Sequence, residues 1–433
     1  MNAEIVAKEF LAFIKTFDPL NTWFGELPDP RNPRFCDYTA ANIWWSVLLM
    51  FLGRAGSRNQ FDEVRNSNMA GANFAEISGV PVTGVHKVTS SDNAAHHANR
   101  VDPAAVQHIL HQTFRLLRER RFFDKHRFRG YYYGIIVDGT LQEKCRKGFE
   151  EGGKSGGGEG QFRYVLQASL LLSNGLCLPL AHVFEDMTDP VAEKEDCELN
   201  AFRRLSQVIK TLLPSTPVLI MGDALYGCGP IAQLCVQQEW KYCFTFKEGR
   251  QPTMWDESIR LFGVDDARTF QYTTGTDAKP VAHDVRWVED MAFVNGLTAT
   301  AINEVETASD GTITQYAWLT NLPCHGNESV KSVVTQVGRE RHPIEDQFNV
   351  QKNNGAGLGH VFCAKKNASQ NYYTMMQLAH VLWTLFYAGV LARLYGWAKE
   401  ASQVALAHAL SEGLRHLVVA EPIQPIGQLR LIL

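Results

Sequence analysis

Apolar positions recur at helix spacing through residues 43–52 and 106–117, so the first 125 residues read as mainly helical. Between them, Leu27-Pro28-Asp29-Pro30-Arg31-Asn32-Pro33-Arg34 breaks regular structure, because its prolines remove donors and restrict their predecessors. The pattern turns to β at 131–137, an aromatic and β-branched run that ends at Asp138-Gly139-Thr140. Two more strand-like runs, 164–172 and 176–183, flank Ser173-Asn174-Gly175, a hairpin signal, and predict three antiparallel strands. Residues 200–213 read as an amphipathic helix closed by Pro214, and 217–222 as a buried strand ending at Asp223. A short helix at 229–239 and a strand at 242–246 follow. From 251 to 323 the helical period is lost, and 270–273, 284–288, 297–302 and 314–320 read as short strands. Helical pattern returns at 330, runs through 344–352, breaks at Asn353-Asn354-Gly355-Ala356-Gly357 and resumes over 372–398. Pro422 and Pro425 break an extended C-terminal tail.

With 433 residues, 45% hydrophobic and 20% charged, the chain is long and apolar enough to bury a large core, which excludes a disulfide-stapled scaffold or a disordered protein. The formal charge of −4 provides no bulk positive field, so any surface for a polyanion must be local. One such excess runs over 115–129, where seven Lys or Arg, including Arg127 and Arg129, face only Glu119 and Asp124. The same run also reads as a solvated helix face. Nine cysteines without a C-x-x-C pair point to a reducing cytoplasm. The first residues alternate charge and apolar character, unlike a signal peptide. The apolar tract 375–398 carries Gln377, His380 and Arg393, so it reads as a buried helix, and no membrane partner is expected.

Two carboxylates carry the chemistry. Asp138 and Asp223 each end a buried strand and precede a small residue, where desolvation is costly unless the charge is paired or holds a cation. Either one alone reads equally well as a turn or helix cap. Glu345 lies in a helical segment that places 341, 345, 348 and 352 near one stripe. A simple Arg341–Glu345 ion pair one turn apart explains that spacing too. Gly148-Phe149-Glu150-Glu151-Gly152-Gly153-Lys154-Ser155 has the letters of a phosphate loop, but Gly156-Gly157-Gly158 follow where a helix must start, so a flexible loop is expected. Cys228, Cys235, Cys243 and His96-His97 lack finger spacing and read as buried thiols and a solvated histidine pair. The acidic run Glu193-Lys194-Glu195-Asp196-Cys197-Glu198 is a charged lead into the next helix and a reserve source of a metal ligand. Trp44, Trp45, Trp240, Trp383 and Trp397 read as core aromatics.

The order Asp138, Asp223, long β insertion, Glu345 resembles the DDE transposases of bacterial insertion sequences. Arg341, Glu345 and Lys352 match the Y-x2-R-x3-E-x6-K spacing of one subgroup, with Gly338 standing at its tyrosine position. The resemblance runs from about residue 131 to 386, and 27–34 is similar to related N-terminal segments. It implies an α/β fold with a ribonuclease-H-like mixed sheet flanked by helices. The expected division is a helical DNA-binding domain (1–128), a catalytic domain in two parts (129–249 and 326–400, the second carrying Glu345), an inserted all-β subdomain (250–325) and a tail (401–433). Asp138, Asp223 and Glu345 are implied as ligands of two Mg²⁺ ions, for which Mn²⁺ can substitute. Arg341, Lys352, Lys247, Arg127 and Arg129 are the expected DNA-phosphate contacts. The implied partner is double-stranded DNA, as transposon ends and target, bound by a homodimer on paired ends in the bacterial cytoplasm and nucleoid. Two other functions remain open at this point: a domesticated relative that binds DNA without transposing, and a ribonuclease-H-like metal-dependent nuclease.

Overall fold

The computed structural model describes residues 2–65, 68–79, 88–151, 153–155, 160–185, 194–264, 268–395, 402–417 and 423–426. Among the described residues seven α-helices open the chain: α1 (Ala3–Lys15), α2 (Pro19–Glu26), α3 (Ala40–Leu52), α4 (Arg58–Val64), α5 (Asn68–Ser78), α6 (Ser91–Ala98) and α7 (Pro103–Glu119). Their starts are set by cap residues. Thr39 Oγ1 accepts from Asn42 N at 3.1 Å, and Asp102 Oδ1 accepts from Ala104 N at 3.0 Å ahead of Pro103. Helix α3 is buried almost all round, with Trp44 and Trp45 wholly inside.

Among the described residues ten strands form one mixed sheet, so the fold is α/β. They are β1 (Tyr133–Cys145), β2 (Lys154–Ser155), β3 (Gln161–Leu171), β4 (Cys177–Phe184), β5 (Val218–Gly222), β6 (Lys241–Thr245), β7 (Thr269–Thr276), β8 (Lys279–Val294), β9 (Leu297–Ala308) and β10 (Ile313–Thr320). The order is β3-β1-β5-β6-β10-β9-β8-β7, with β2 and β4 sharing the outer edge of β3. Strands β4, β3 and β1 are antiparallel, as the hairpin signal predicts, and β1, β5 and β6 are mutually parallel. At the hairpin Gly175 takes φ +79°, a conformation glycine adopts without strain. Helices α8 (Lys194–Leu212) and α9 (Gly229–Gln237) are the crossovers that parallel pairing requires.

Four expectations need correction. Strand β1 does not end at Asp138: it loses β5 as a neighbour there, but stays paired with β3 as far as Cys145. The 251–323 stretch contains a helix, α10 (Pro252–Phe262), which buries Met254 and Ser258 one turn apart. Its apolar signal is too short and too interrupted to stand out. Strands β7 to β10 are longer than their sequence pattern predicts, and they extend the main sheet because β10 pairs with β6. Finally, the C-terminal tail contains α15 (Gln403–His416), whose Leu406, Ala407 and Leu410 are buried against α1 and α5.

After β10 come α11 (Asn327–Val333), a wide turn (Val334–Gly338), a tight turn (Arg339–Arg341), α12 (Pro343–Asn353), α13 (Lys366–Phe386), α14 (Ala392–Tyr395) and α15 (Gln403–His416). Among the described residues the span Lys366–Leu391 alone is long and apolar enough to cross a membrane; 83% of its apolar window is buried inside the protein. It is the central core helix, packed on α3, α6, α7 and β4. One contiguous apolar core joins the N-terminal helices, α13 and the sheet, so the change from helix to strand near residue 128 leaves it unbroken.

Candidate active site

Ile135, Ile136 and Val137 of β1 and Val218 to Met221 of β5 are buried, and this apolar pairing fixes the parallel register Ile136↔Met221. Carried on by two residues, that register sets Asp138 level with Asp223. Each carboxylate takes a local backbone bond: Asp223 Oδ1 accepts from Leu225 N at 2.8 Å, and Asp138 Oδ1 from Gly139 N at 3.1 Å. Burial raises the Asp138 pKa to about 7; Arg341 opposes the rise, while Asp223, Glu198 and Glu345 add to it. Four carboxylates and one guanidinium therefore share a single electrostatic neighbourhood.

Helix α12 delivers Glu345 from its first turn, after Pro343 at the first helical position. Arg341 ion-pairs with Glu345 Oε1, and His342 Nδ1 lies 3.4 Å from Oε2. Burial pushes the Glu345 carboxyl up, but Arg341 and His342 outweigh it and hold it below its ordinary value. The single stripe expected from 341 to 352 divides. Phe348 turns into the core with Ile344, while Glu345 is half-exposed and Lys352 exposed.

Glu198, held in reserve by the sequence, belongs to this neighbourhood. It is buried, and its carboxylate lies where a β-carbon on Gly139 would stand, 2.9 Å from that position. Tyr226 donates its hydroxyl to Glu198 Oε1 at 2.8 Å, and the Tyr226 ring in turn fills the space beside Gly222. Burial and the Glu198 charge push the Tyr226 phenol well above its usual range, so it stays a donor. Nothing in sequence spacing marks Tyr226. Glu193 lies outside the described residues.

The cationic residues separate into two groups. Arg341 touches the acidic group, Lys352 follows on α12, and exposed Lys247 leaves β6 at the same edge of the sheet as Asp223. Arg127 and Arg129 precede β1 at the other end of the strand. Arg127 pairs with Asp124 at 2.6 Å and stacks on Tyr133, and Arg129 donates to Ser329 O at 2.7 Å. At the tyrosine position of the motif, a β-carbon on Gly338 would come within 2.5 Å of the Trp318 indole, whose Nε1 donates to Gly338 O at 3.0 Å. Gly338→Tyr is therefore expected to lower thermal stability by about 1–3 kcal/mol through overpacking, read by denaturant unfolding. An unchanged midpoint would show that Trp318 moves aside freely.

A second cluster has tighter ligand spacing. Among the described residues only His283, Glu304 and Glu306 bring three ligand atoms within 4.8 Å of one another. Arg339 already bridges Glu304 and Glu306 at 2.5 and 2.7 Å, and Tyr272 donates to Glu304 at 2.7 Å. That cluster is an ion-pair network satisfied by its own cation. The other decoys resolve simply. Lys154 and Ser155 form β2 instead of opening a helix, while 152 and 156–159 lie outside the described residues. Cys228, Cys235 and Cys243 are free thiols. His97 corrects the solvated-pair reading: it is buried edge-on to Trp44, and burial lowers its pKa to about 4. Trp240 and Trp383 are buried in the core, and Trp397 lies outside the described residues.

A pH dependence follows from Asp138. Its folded pKa lies above the unfolded value of 3.8, so ionising it costs stability. The cost is absent below about pH 4, grows as pH rises and is complete above about pH 7. In chelator, Asp138→Asn is expected to gain stability over the unchanged protein at pH 8 but not at pH 4. Urea midpoints at the two pH values check this, and an equal difference at both would contradict it.

No protein-family model matches the sequence, and no curated protein matches it. Among solved structures, the chain is similar to one described as a cryo-EM structure of the piggyBac transposase synaptic complex with hairpin DNA. The identity is 9% and the TM-score 0.41, over 95% of this chain and 80% of that one.

Proposed function

We propose that this protein is a DNA transposase of the DDE type, cutting insertion-sequence ends and joining them to target DNA, with Asp138, Asp223 and Glu345 as its acidic triad. The observation that carries the reading is the shared neighbourhood of these three residues with Arg341, set up by the β1–β5 register and the start of α12. The proposal brings with it a ribonuclease-H-like arrangement of the sheet. Three antiparallel strands beside two parallel ones, with an aspartate level on β1 and just past β5, support it.

The donor set suits a hard divalent cation. All the donors are carboxylate oxygens, and Asp138 is crowded by like charges that a cation would neutralise. Asp138, Asp223 and Glu345 would hold two Mg²⁺ ions, or Mn²⁺ in their place, with buried Glu198 beside them. Bound there, the metal supplies Lewis-acid activation of a water or 3′-hydroxyl and stabilises the leaving oxygen of a phosphodiester displacement. The protein's own cations do the rest. Arg341, paired with Glu345, would meet the incoming backbone, and exposed Lys352 and Lys247 would hold phosphates. Arg127 and Arg129, at the far end of β1, would contact a more distant part of the duplex. Paired DNA ends, a homodimer and a nucleoid location complete the proposal.

Mn²⁺ binding followed by electron paramagnetic resonance tests the metal assignment directly. The unchanged protein should bind the ion, and Asp223→Asn should lose it; equal binding by both would remove Asp223 from the site. For the phosphate contacts, Arg341→Ala and Lys352→Ala should each weaken DNA-end binding and lower the slope of log K against log salt by about one. A slope unchanged in both variants would make these side chains structural.

A further inference from the structure

Helix α12 docks on the body of the protein through amides. Gln347 and Gln351, one turn apart, are both buried, on the side of the helix away from Glu345. Gln351 Nε2 donates to Gln377 Oε1 of α13 at 2.9 Å, and Gln377 Nε2 donates back to Gln351 Oε1 at 3.3 Å. Gln347 Nε2 donates to the same Gln377 Oε1 at 3.4 Å. On the other side, Gln347 Oε1 accepts from Ser169 Oγ of β3 at 3.2 Å. Ser169 Oγ accepts in turn from Gln167 Nε2 at 3.0 Å, and Gln167 Oε1 accepts from Tyr373 at 2.6 Å. Every side chain in this chain is nearly or wholly buried. Gln167 is also the direct cross-strand partner of Asp138, so the two side chains share one face of the sheet.

The hydrogen-bonded chain therefore begins beside Asp138 and ends on the helix that carries Glu345. An apolar helix face slides or rotates by fractions of an ångström at small cost, because dispersion is weakly directional. Hydrogen bonds are not so tolerant, since they weaken steeply with distance and angle. Buried amides in place of leucines thus define the rotation and axial position of α12.

We propose that Gln167, Ser169, Gln347, Gln351 and Gln377 are positioning residues that hold Glu345 at the level of Asp138. This inference rests on the catalytic role proposed above for Glu345. It accounts for amides at sites where apolar side chains of the same size would fill the space equally well.

The test is the combined variant Gln347→Met, Gln351→Met, Gln377→Met, compared with the unchanged protein and with Glu345→Gln. Removing the three interacting amides together leaves few unmade partners, so the fold should be as stable as before or more so. DNA-end affinity and KM should stay the same. The kcat of metal-dependent cutting should fall by about 10- to 100-fold, the scale of an ångström's misplacement. Ser169→Ala, which severs the link between α12 and the sheet together with the Gln167–Ser169 bond, should lower kcat alone by a smaller factor; this variant decides the matter if the combined one does not fold. Unchanged kcat in a folded combined variant, or in Ser169→Ala, would overturn the inference while leaving the triad intact. Wild-type cutting by Glu345→Gln would instead overturn the catalytic assignment, and this inference with it.

Discussion

Asp138→Asn, Asp223→Asn and Glu345→Gln are each expected to abolish metal-dependent DNA cutting while leaving DNA-end binding in place. Each substitution keeps size and shape and removes one negative oxygen donor. The loss should exceed the roughly 10- to 100-fold that removing an outer supporting group of a metal site costs. Asp138→Asn makes the sharpest case, because activity and stability move in opposite directions. Without metal, its carboxylate is buried, and the charges of Asp223, Glu198 and Glu345 add to that cost against the pull of Arg341, so neutralising it removes the cost of a buried charge as activity disappears. A gel-shift titration beside a cleavage time course reads both quantities. Cutting that survives any one substitution would remove that residue from the site.

The largest stability effect is expected at a buried ion pair outside the site. Arg163 donates to Glu143 Oε1 at 2.7 Å and to Ala364 O at 3.2 Å, and Ser369 also donates to Glu143. Both charged residues are almost fully buried. Burial raises the Glu143 pKa, with Ser369 and Arg163 working against the rise. Arg163→Met leaves the carboxylate without its cation and should cost about 3–5 kcal/mol. Adding Glu143→Gln should recover much of that loss, since the buried charge goes as well. Urea unfolding of the single and double variants checks this; equal stabilities of Arg163→Met and the unchanged protein would contradict it.

Much of this site is legible in the residues because strands advertise themselves. The apolar runs 131–137 and 217–222 mark two buried strands, and each leads directly to an aspartate. Their juxtaposition is a matter of register between segments far apart in the chain, which local periodicity does not encode. Glu198 is visible only as one acid among several, since its importance comes from facing a glycine on another strand. The glutamines under α12 carry no signal of their own: the stripe drawn from 341 to 352 leaves out Gln347 and Gln351, and Gln377 stands in a tract that reads as buried without showing which groups it meets. Two helices escape notice for different reasons. Helix α10 buries few side chains, and α15 gains its apolar partner from α1 at the opposite end of the chain. His97 shows the converse case, a polar residue whose surroundings supply the burial.

The decisive measurement uses a labelled duplex carrying the DNA that flanks the protein's own gene, incubated with Mg²⁺ or with chelator, beside Glu345→Gln. Cuts at the element ends that need Mg²⁺ and vanish in Glu345→Gln are the result this account predicts. Binding without cutting, or cutting that Glu345→Gln retains, would contradict it.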